Sequence, residues 1–384
     1  MAETVKPTGQ PGRGRHANDP SKIPPRGWKD IVWRIYGDIT ESRVLLTAAG
    51  VTFYLLLSLV PTLTAFVSLY GLFNDRASVL EHVELLRGIV PPGALSIVNE
   101  QLERLTAESG NTLGWTLLVS LAIALWSASA GVKAMFEAMN VAYHEQEERS
   151  FIALNATALL FTLGGAVAAM LVLTVVVIMP PLVRLLPGEG LEWLVRIGSY
   201  LAMLVVVSLM IAALYRWGAS RQDAKWRWIT PGAVVSVLAL GAGSVALSWY
   251  VANFADNNAT YGSLGAVIGL MTWLWISSTL VIIGAVLNSE IEHQSMRDST
   301  TGAWAPMGER GAHVADTLGE PWPDDAAPQP AYERERERIS WGALAFAAPA
   351  ALVLLASERR SARGQPGAAQ AGGITPTSTG QRDK

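Results

Sequence analysis

The sequence predicts an all-α fold, a polytopic membrane helix bundle with six transmembrane helices and both termini in the cytoplasm. Three observations lead there. Apolar residues make up 51% of the 384 and charged residues only 16%, where soluble domains carry about 25% charged residues. The apolar residues gather into six long runs free of Asp, Glu, Lys and Arg, and ~20 mainly apolar residues suffice for a bilayer-spanning helix. Basic residues cluster in alternate connecting segments, the pattern that orients membrane helices.

The elements follow in order. Residues 1–43 form a polar arm rich in Pro, Gly and Arg. It has no short apolar core of the signal-peptide kind, so the first apolar run reads as an uncleaved span. That run is Val44 to Phe73. As one helix it would be ~45 Å long against a hydrocarbon core of ~30 Å, and Pro61 near its middle should bend it. Residues 74–111 hold two amphipathic stretches, one with Leu80, Val83, Leu86 and Val90, the other with Leu95, Val98, Leu102 and Leu105. Such stretches lie on the membrane or pack on the bundle.

The second run, Thr112 to Val132, should continue out of the bilayer through Lys133, Glu137 and Asn140. The third lies within Phe151 to Val183 and is expected to end at Met179-Pro180-Pro181. The fourth, Ile197 to Tyr215, has Trp193 and Trp217 near its ends, as an aromatic belt requires. The fifth runs from Trp228 to about Asn253, with Pro231 expected in its first turn, where a missing N–H is harmless. The sixth runs from about Leu264 to Ser289.

Beyond Glu290 the composition turns polar. Residues 294–338 read as a cytoplasmic linker, a tether without a core. Ile339 to Ser357 is a 19-residue uncharged stretch carrying Pro349, a candidate seventh apolar helix that either spans or lies at the interface. Residues 358–384 read as a disordered tail. The domain organisation is therefore an arm (1–43), a six-helix domain (44–293), a linker (294–338), an apolar tail helix (339–357) and the tail (358–384).

Orientation rests on Lys and Arg. Residues 1–43 hold eight of them, and Arg216, Arg221, Lys225 and Arg227 crowd into the loop after the fourth run. The loop DNNATYG after the fifth run holds none. That places the arm and the basic loop in the cytoplasm and DNNATYG outside. Asp256, Asn257 and Asn258 are ordinary turn formers; the sharper reading is a polar vestibule completed by Thr260 and Tyr261.

The chemistry-bearing residues exclude more than they assign. The chain has no cysteine, so disulfides, Cys–zinc sites and thiol chemistry are excluded. Its five histidines fall in loops and tails without metal-ligand spacing. There is no phosphate-cradling P-loop and no G-x-S-x-G elbow. No enzymatic activity, catalytic residue, cofactor or metal is expected, and a net charge of −3 suggests no nucleic-acid partner.

The candidate functional polar positions are Lys133, Glu137, Asn140, Asn257, Tyr261, Asn288 and Glu290. Lys133 and Glu137 stand at i and i+4, a spacing that permits pairing; they are a helix-end anchor or a gate. Asn140 and Asn288 suit interhelical hydrogen bonding. Arg216, Arg221, Lys225 and Arg227, set among Trp217, Trp226 and Trp228, suit contacts to lipid headgroups as well as the plain topogenic role. Membrane lipids are thus the expected partners. Gly265 and Gly269, with Ala48, Ala49 and Gly50, allow close helix approach and favour a tight bundle or a homo-oligomer.

Three blocks in sequence carry a resemblance: TAAGVTFYLLLSLVPTLTAFVSLYG (47–71), LWSASAGVKAMFEAMNVAYHEQEERSF (125–151), and residues 213–292 from ALYRWGASRQDAKWRWITPG to AVLNSEIE. Together they resemble the YihY/BrkB family of bacterial membrane proteins over about residues 40–293. The resemblance implies a six-helix protein of the bacterial inner membrane with a poorly defined role. The family name links it to virulence and serum resistance, and some members are tied to envelope lipid export. Some have carried the label ribonuclease BN, which these histidines do not support. The family's last helix often has an acid just after Gly-Ala; here Val286 follows Gly284-Ala285, and Glu290 comes a turn later. That weakens any mechanism needing a carboxylate deep in the sixth helix. Transport-like handling of a lipid or other amphiphile is the favoured reading, with a non-transporting scaffold or an ion-coupled carrier as alternatives.

Overall fold

The computed structural model describes residues 12–71, 113–185, 192–254 and 264–323. The amphipathic stretches of 74–111, the DNNATYG loop with Asn257 and Tyr261, and the tail helix 339–357 lie outside the described residues. Helix α1 spans Pro25–Glu41, α2 Val44–Gly71, α3 Leu113–Ala142, α4 Phe151–Leu185, α5 Glu192–Trp217, α6 Trp226–Phe254, α7 Leu264–His293, and the single turn α8 His313–Asp316. Among the described residues no β-strand occurs, only an isolated bridge between Ala224 and Thr300.

Five of these helices, α2, α4, α5, α6 and α7, are long and apolar enough to cross a membrane. Helix α3 continues past Val132 through Lys133 and Asn140, as the sequence predicts. Helix α4 does not stop at Pro180 and Pro181 but runs on to Leu185.

Helix α7 packs on α6, α2, α1 and α3. In its spanning window 39% is buried, against 11% in α4 and in α5, so α7 is central and those two are peripheral. Their outer faces carry exposed apolar side chains, Leu160 at 68% and Leu201 at 55%. Apolar patches of that kind suit contact with hydrocarbon rather than water.

Close contact between α6 and α7 depends on glycine. A Cβ on Gly232 would overlap the Gly284 carbonyl and the Asn288 side chain, and one on Gly284 would overlap the Ser236 and Tyr215 hydroxyls. Gly269 and Gly50, expected to serve close approach, would meet nothing within 4 Å; the small-residue seam lies nearer the end of α7. Helix α6 also begins earlier than expected, at Trp226, which leaves Pro231 inside the helix rather than in its first turn. A proline there disrupts the backbone ladder. Asn288 of α7 bonds the backbone on either side of it: its Oδ1 accepts from Gly232 N at 2.7 Å and its Nδ2 donates to the Ile229 carbonyl at 3.0 Å.

At one end the bundle carries a folded cap, built from residues 12–41 and 294–320. For 294–320 this corrects the reading as a tether without a core. Gln294, Ser295, Ser299, Thr300 and Arg310 are buried, as are Ala312, Val314 and Ala315. Sequence reading weighs apolar content, and this segment has little. Its order comes from polar satisfaction instead. Met296 N donates to the Arg15 carbonyl at 2.8 Å, Lys225 N to Ser299 at 2.8 Å and Thr301 N to Asp223 at 2.8 Å. Arg13 pairs with Asp30 at 2.5 Å, and Arg310 donates to the Ala315 and Met296 carbonyls at 2.6 and 2.8 Å. A small apolar cluster of Ile23, Ile31, Trp228 and Ile291 sits beneath. Helix α1 correspondingly buries Asp30, Arg34 and Asp38 and exposes Val32 and Tyr36.

Candidate functional site

Two features meet where the cap joins the bundle. The first is a recess of about 860 Å³ between the end of α3, the start of α4 and the end of α5. Its rim is polar, with Glu148, Arg149, Ser220, Gln222, Asp223 and His313, and its wall continues onto Leu160 and Phe161 of α4. One opening thus joins an ionic rim to a lipid-compatible helix face.

Arg149 organises the rim. It grips Glu147 with two hydrogen bonds, at 2.7 and 2.6 Å, and caps the end of α5 by donating to the Trp217 and Gly218 carbonyls at 3.1 and 2.8 Å. Such end carbonyls have no partner within their own helix. Asn140 completes the clasp, donating to Glu147 at 3.1 Å and accepting from Ser220 N at 2.7 Å. Burial alone would raise the Glu147 carboxyl; the bonds from Arg149 and Asn140 outweigh it and hold it at about 2.

The second feature is a polar cluster, buried at Asp38 and Glu290 and exposed at His144. Asp38 of α1 is 7% exposed and Glu290 of α7 is 4% exposed. His144 follows the end of α3 at φ 56°, a left-handed position that glycine usually fills. Its Nε2 lies 3.3 Å from Asp38 Oδ1, and Ser42 Oγ donates to the same oxygen at 2.5 Å. Arg34 Nε donates to Glu290 Oε2. Glu290 Oε1 lies 3.8 Å from His293 Nδ1. One oxygen from each of Asp38 and Glu290 and a ring nitrogen of His144 lie within 4.8 Å of one another. The hydrogen bond to Asp38 raises the His144 pKa, against the opposing pull of burial. His144 and His313 have ring centroids 6.0 Å apart, so the cluster adjoins the recess.

The positions singled out from sequence divide accordingly. Asn140 and Asn288 bridge elements. Lys133 and Glu137 do not pair: Lys133 Nζ donates to Asn155 Oδ1 at 3.0 Å and sits 5.3 Å over the Trp126 ring, while Glu137 is exposed. Three of the four cations expected at headgroups turn inward instead. The Arg221 side chain is 1% exposed in an ion pair with Glu292 at 2.7 Å and stacks 4.9 Å from the Tyr143 ring. Arg216 donates to the Ala224 carbonyl at 2.8 Å and lies 4.9 Å over Trp226. Lys225 donates to the Asp298 carbonyl at 2.9 Å. The buried Glu292 and the carbonyls of the folded cap require these donors, because an unpartnered buried charge or polar group is costly. Arg227 stays exposed. Sequence reading missed Arg34, Asp38, His144, Arg149 and His293 as a set. They come from segments far apart in the chain; the one local signal is α1, whose charged positions 30, 34 and 38 recur at helical spacing.

Helices of this length and hydropathy, closed at one end by a polar cap, define a helical membrane protein. The chain belongs to the family described as Virulence factor BrkB, whose sequence pattern matches residues 35–308. It is 31% identical over 264 residues to the ribonuclease-like protein YfkH of Bacillus subtilis, a match covering 63% of this chain and 88% of that one. It is 26% identical over 272 residues to the UPF0761 membrane protein NMB0524 of Neisseria meningitidis serogroup B, covering 68% of this chain and 63% of that one. A UPF0761 membrane protein of Laribacter hongkongensis is 25% identical over 283 residues, covering 70% and 61%. The chain therefore spans less than two thirds of the length of the Neisseria and Laribacter relatives. No solved structure matches it significantly.

Proposed function

We propose that the protein handles a lipid or similar amphiphile at the cytoplasmic face of the bacterial inner membrane, in a transport-like role. In this reading it crosses the membrane six times, with α3 as the sixth span beside the five others, and keeps its termini and cap in the cytoplasm. The absence of Asp, Glu, Lys and Arg from residues 113–132 supports α3 as a span, and the eight basic residues of the arm support the orientation.

The observation that carries the functional reading is the recess. Its rim offers charges of both signs, Arg149 with Glu148 and Asp223, while Leu160 and Phe161 continue it along α4. A zwitterionic or polar headgroup fits the rim, and an acyl chain fits the wall. The ion-coupled alternative draws less support, since Glu290 is paired with Arg34 and Glu137 is exposed. The reading includes neither ribonuclease activity nor a nucleic-acid partner, in keeping with a net charge of −3.

Photocrosslinking tests the reading. A photoreactive residue at Leu160, introduced in living cells, is expected to capture membrane lipid together with headgroup-labelled material. Adducts to protein alone, from both Leu160 and Phe161 positions, would overturn it.

A further inference from the structure

We propose that Asp38, His144, Glu290 and His293 bind one divalent transition-metal ion of the zinc class. The four come from three parts of the fold: α1, the residue after α3's terminal turn, and the last turns of α7.

Three observations converge. The first is distance. One oxygen from each of Asp38 and Glu290 and a ring nitrogen of His144 already lie within 4.8 Å of one another. Tetrahedral bonds of ~2.0–2.2 Å place ligand atoms about 3.4 Å apart, so side-chain adjustment of about an ångström brings these three together, and His293, with Nδ1 3.8 Å from Glu290 Oε1, swings in as the fourth.

The second is a pair of buried atoms without partners. Asp38 Oδ2 and His293 Nδ1 have no hydrogen-bond partner among the described residues. Native structures satisfy such atoms, and an exception calls for an unseen ion or water.

The third is the placement of His293. Thr317 Oγ1 lies 3.0 Å from His293 Nε2, which leaves Nδ1 as the ring nitrogen facing the cluster, 3.8 Å from Glu290 Oε1.

The surroundings match a built site. Ser42 holds Asp38, Arg34 holds Glu290 and Thr317 holds His293, the outer contacts that orient metal ligands. Two imidazoles and two carboxylates suit zinc better than magnesium or calcium, which take oxygen ligands. The His144 side chain is 35% exposed and gives the ion a route in. The competing account is metal-free: His144 protonated against Asp38, sealing α1 to α3.

Titration of the untagged, full-length, chelator-stripped protein in detergent with Co²⁺ decides between them. One Co²⁺ per chain is expected, with the intense visible bands of four-coordinate cobalt, displaced by Zn²⁺. His293→Gln and Asp38→Asn should each weaken binding by roughly 100-fold and Thr317→Val by about 10-fold, while His16→Gln leaves it unchanged. Size-exclusion and circular-dichroism profiles identify variants that fail to fold; Thr317→Val, which keeps all four ligands, is the variant to use if the others do. No stoichiometric cobalt spectrum, or one that survives both His293→Gln and Thr317→Val unchanged, would overturn the proposal.

Discussion

Replacing Asn288 with leucine should destabilise the protein by about 2–6 kcal/mol without leaving a cavity. Asn288 is 0% exposed, and its amide satisfies two backbone groups of α6, the Gly232 N–H and the Ile229 carbonyl. Leucine fills similar space and offers neither bond. A buried polar group left unsatisfied costs about 1–3 kcal/mol, and two groups give the range stated. The need for Asn288 traces to Pro231, since neighbouring helices must take up backbone groups that an internal proline frees. Pro231→Ala should restore the ladder of α6 and let Gly232 N–H return to its own helix. The Asn288→Leu loss should then be smaller in a Pro231→Ala background, by at least about 1 kcal/mol. Unfolding in mixed micelles, followed through the protein's fourteen tryptophans, measures both. A loss under about 0.5 kcal/mol, or an equal loss in the two backgrounds, would show that Asn288 does not serve the backbone around Pro231.

Two further outcomes follow from the polar end. Arg221→Met should cost about 3–5 kcal/mol by stranding Glu292, whereas Arg221→Met with Glu292→Leu should recover most of it; thermal unfolding of the four proteins checks the cycle. Glu147, held at about 2 against an ordinary 4.5, is a carboxyl with a lowered pKa. Its contribution to stability is complete above pH 4.5 and fades as pH falls toward 2, so the acid-unfolding curve of Glu147→Gln should be flatter across that window than the unsubstituted protein's.

The helices were legible because hydrocarbon imposes a simple requirement, a long uncharged run, and the runs behind α2 to α7 announce themselves. The cap was not. Residues 294–320 bury Gln294, Glu292's partner Ser299 and Arg310, and polar order of this kind leaves no periodic trace. Arg221 illustrates the same limit: in sequence it is one cation of a basic loop, and only the fold supplies the Glu292 that draws it inward. Asn140 and Asn288 were recognisable as bridging types, but their partners, Ser220 N and the backbone around Pro231, depend on helix register. The Asp38, His144, Glu290 and His293 cluster lay beyond spacing rules because three separated segments build it.

The proposed role has an amphiphile move through or reside in the recess beside α4. Its most direct test is transbilayer movement of fluorescent lipids in liposomes holding the purified full-length protein. Protein-dependent movement is expected, slowed several-fold by Leu160→Arg, a change at a residue 68% exposed that should leave folding intact. Movement no faster than in protein-free liposomes, across zwitterionic and anionic headgroups alike, would contradict it.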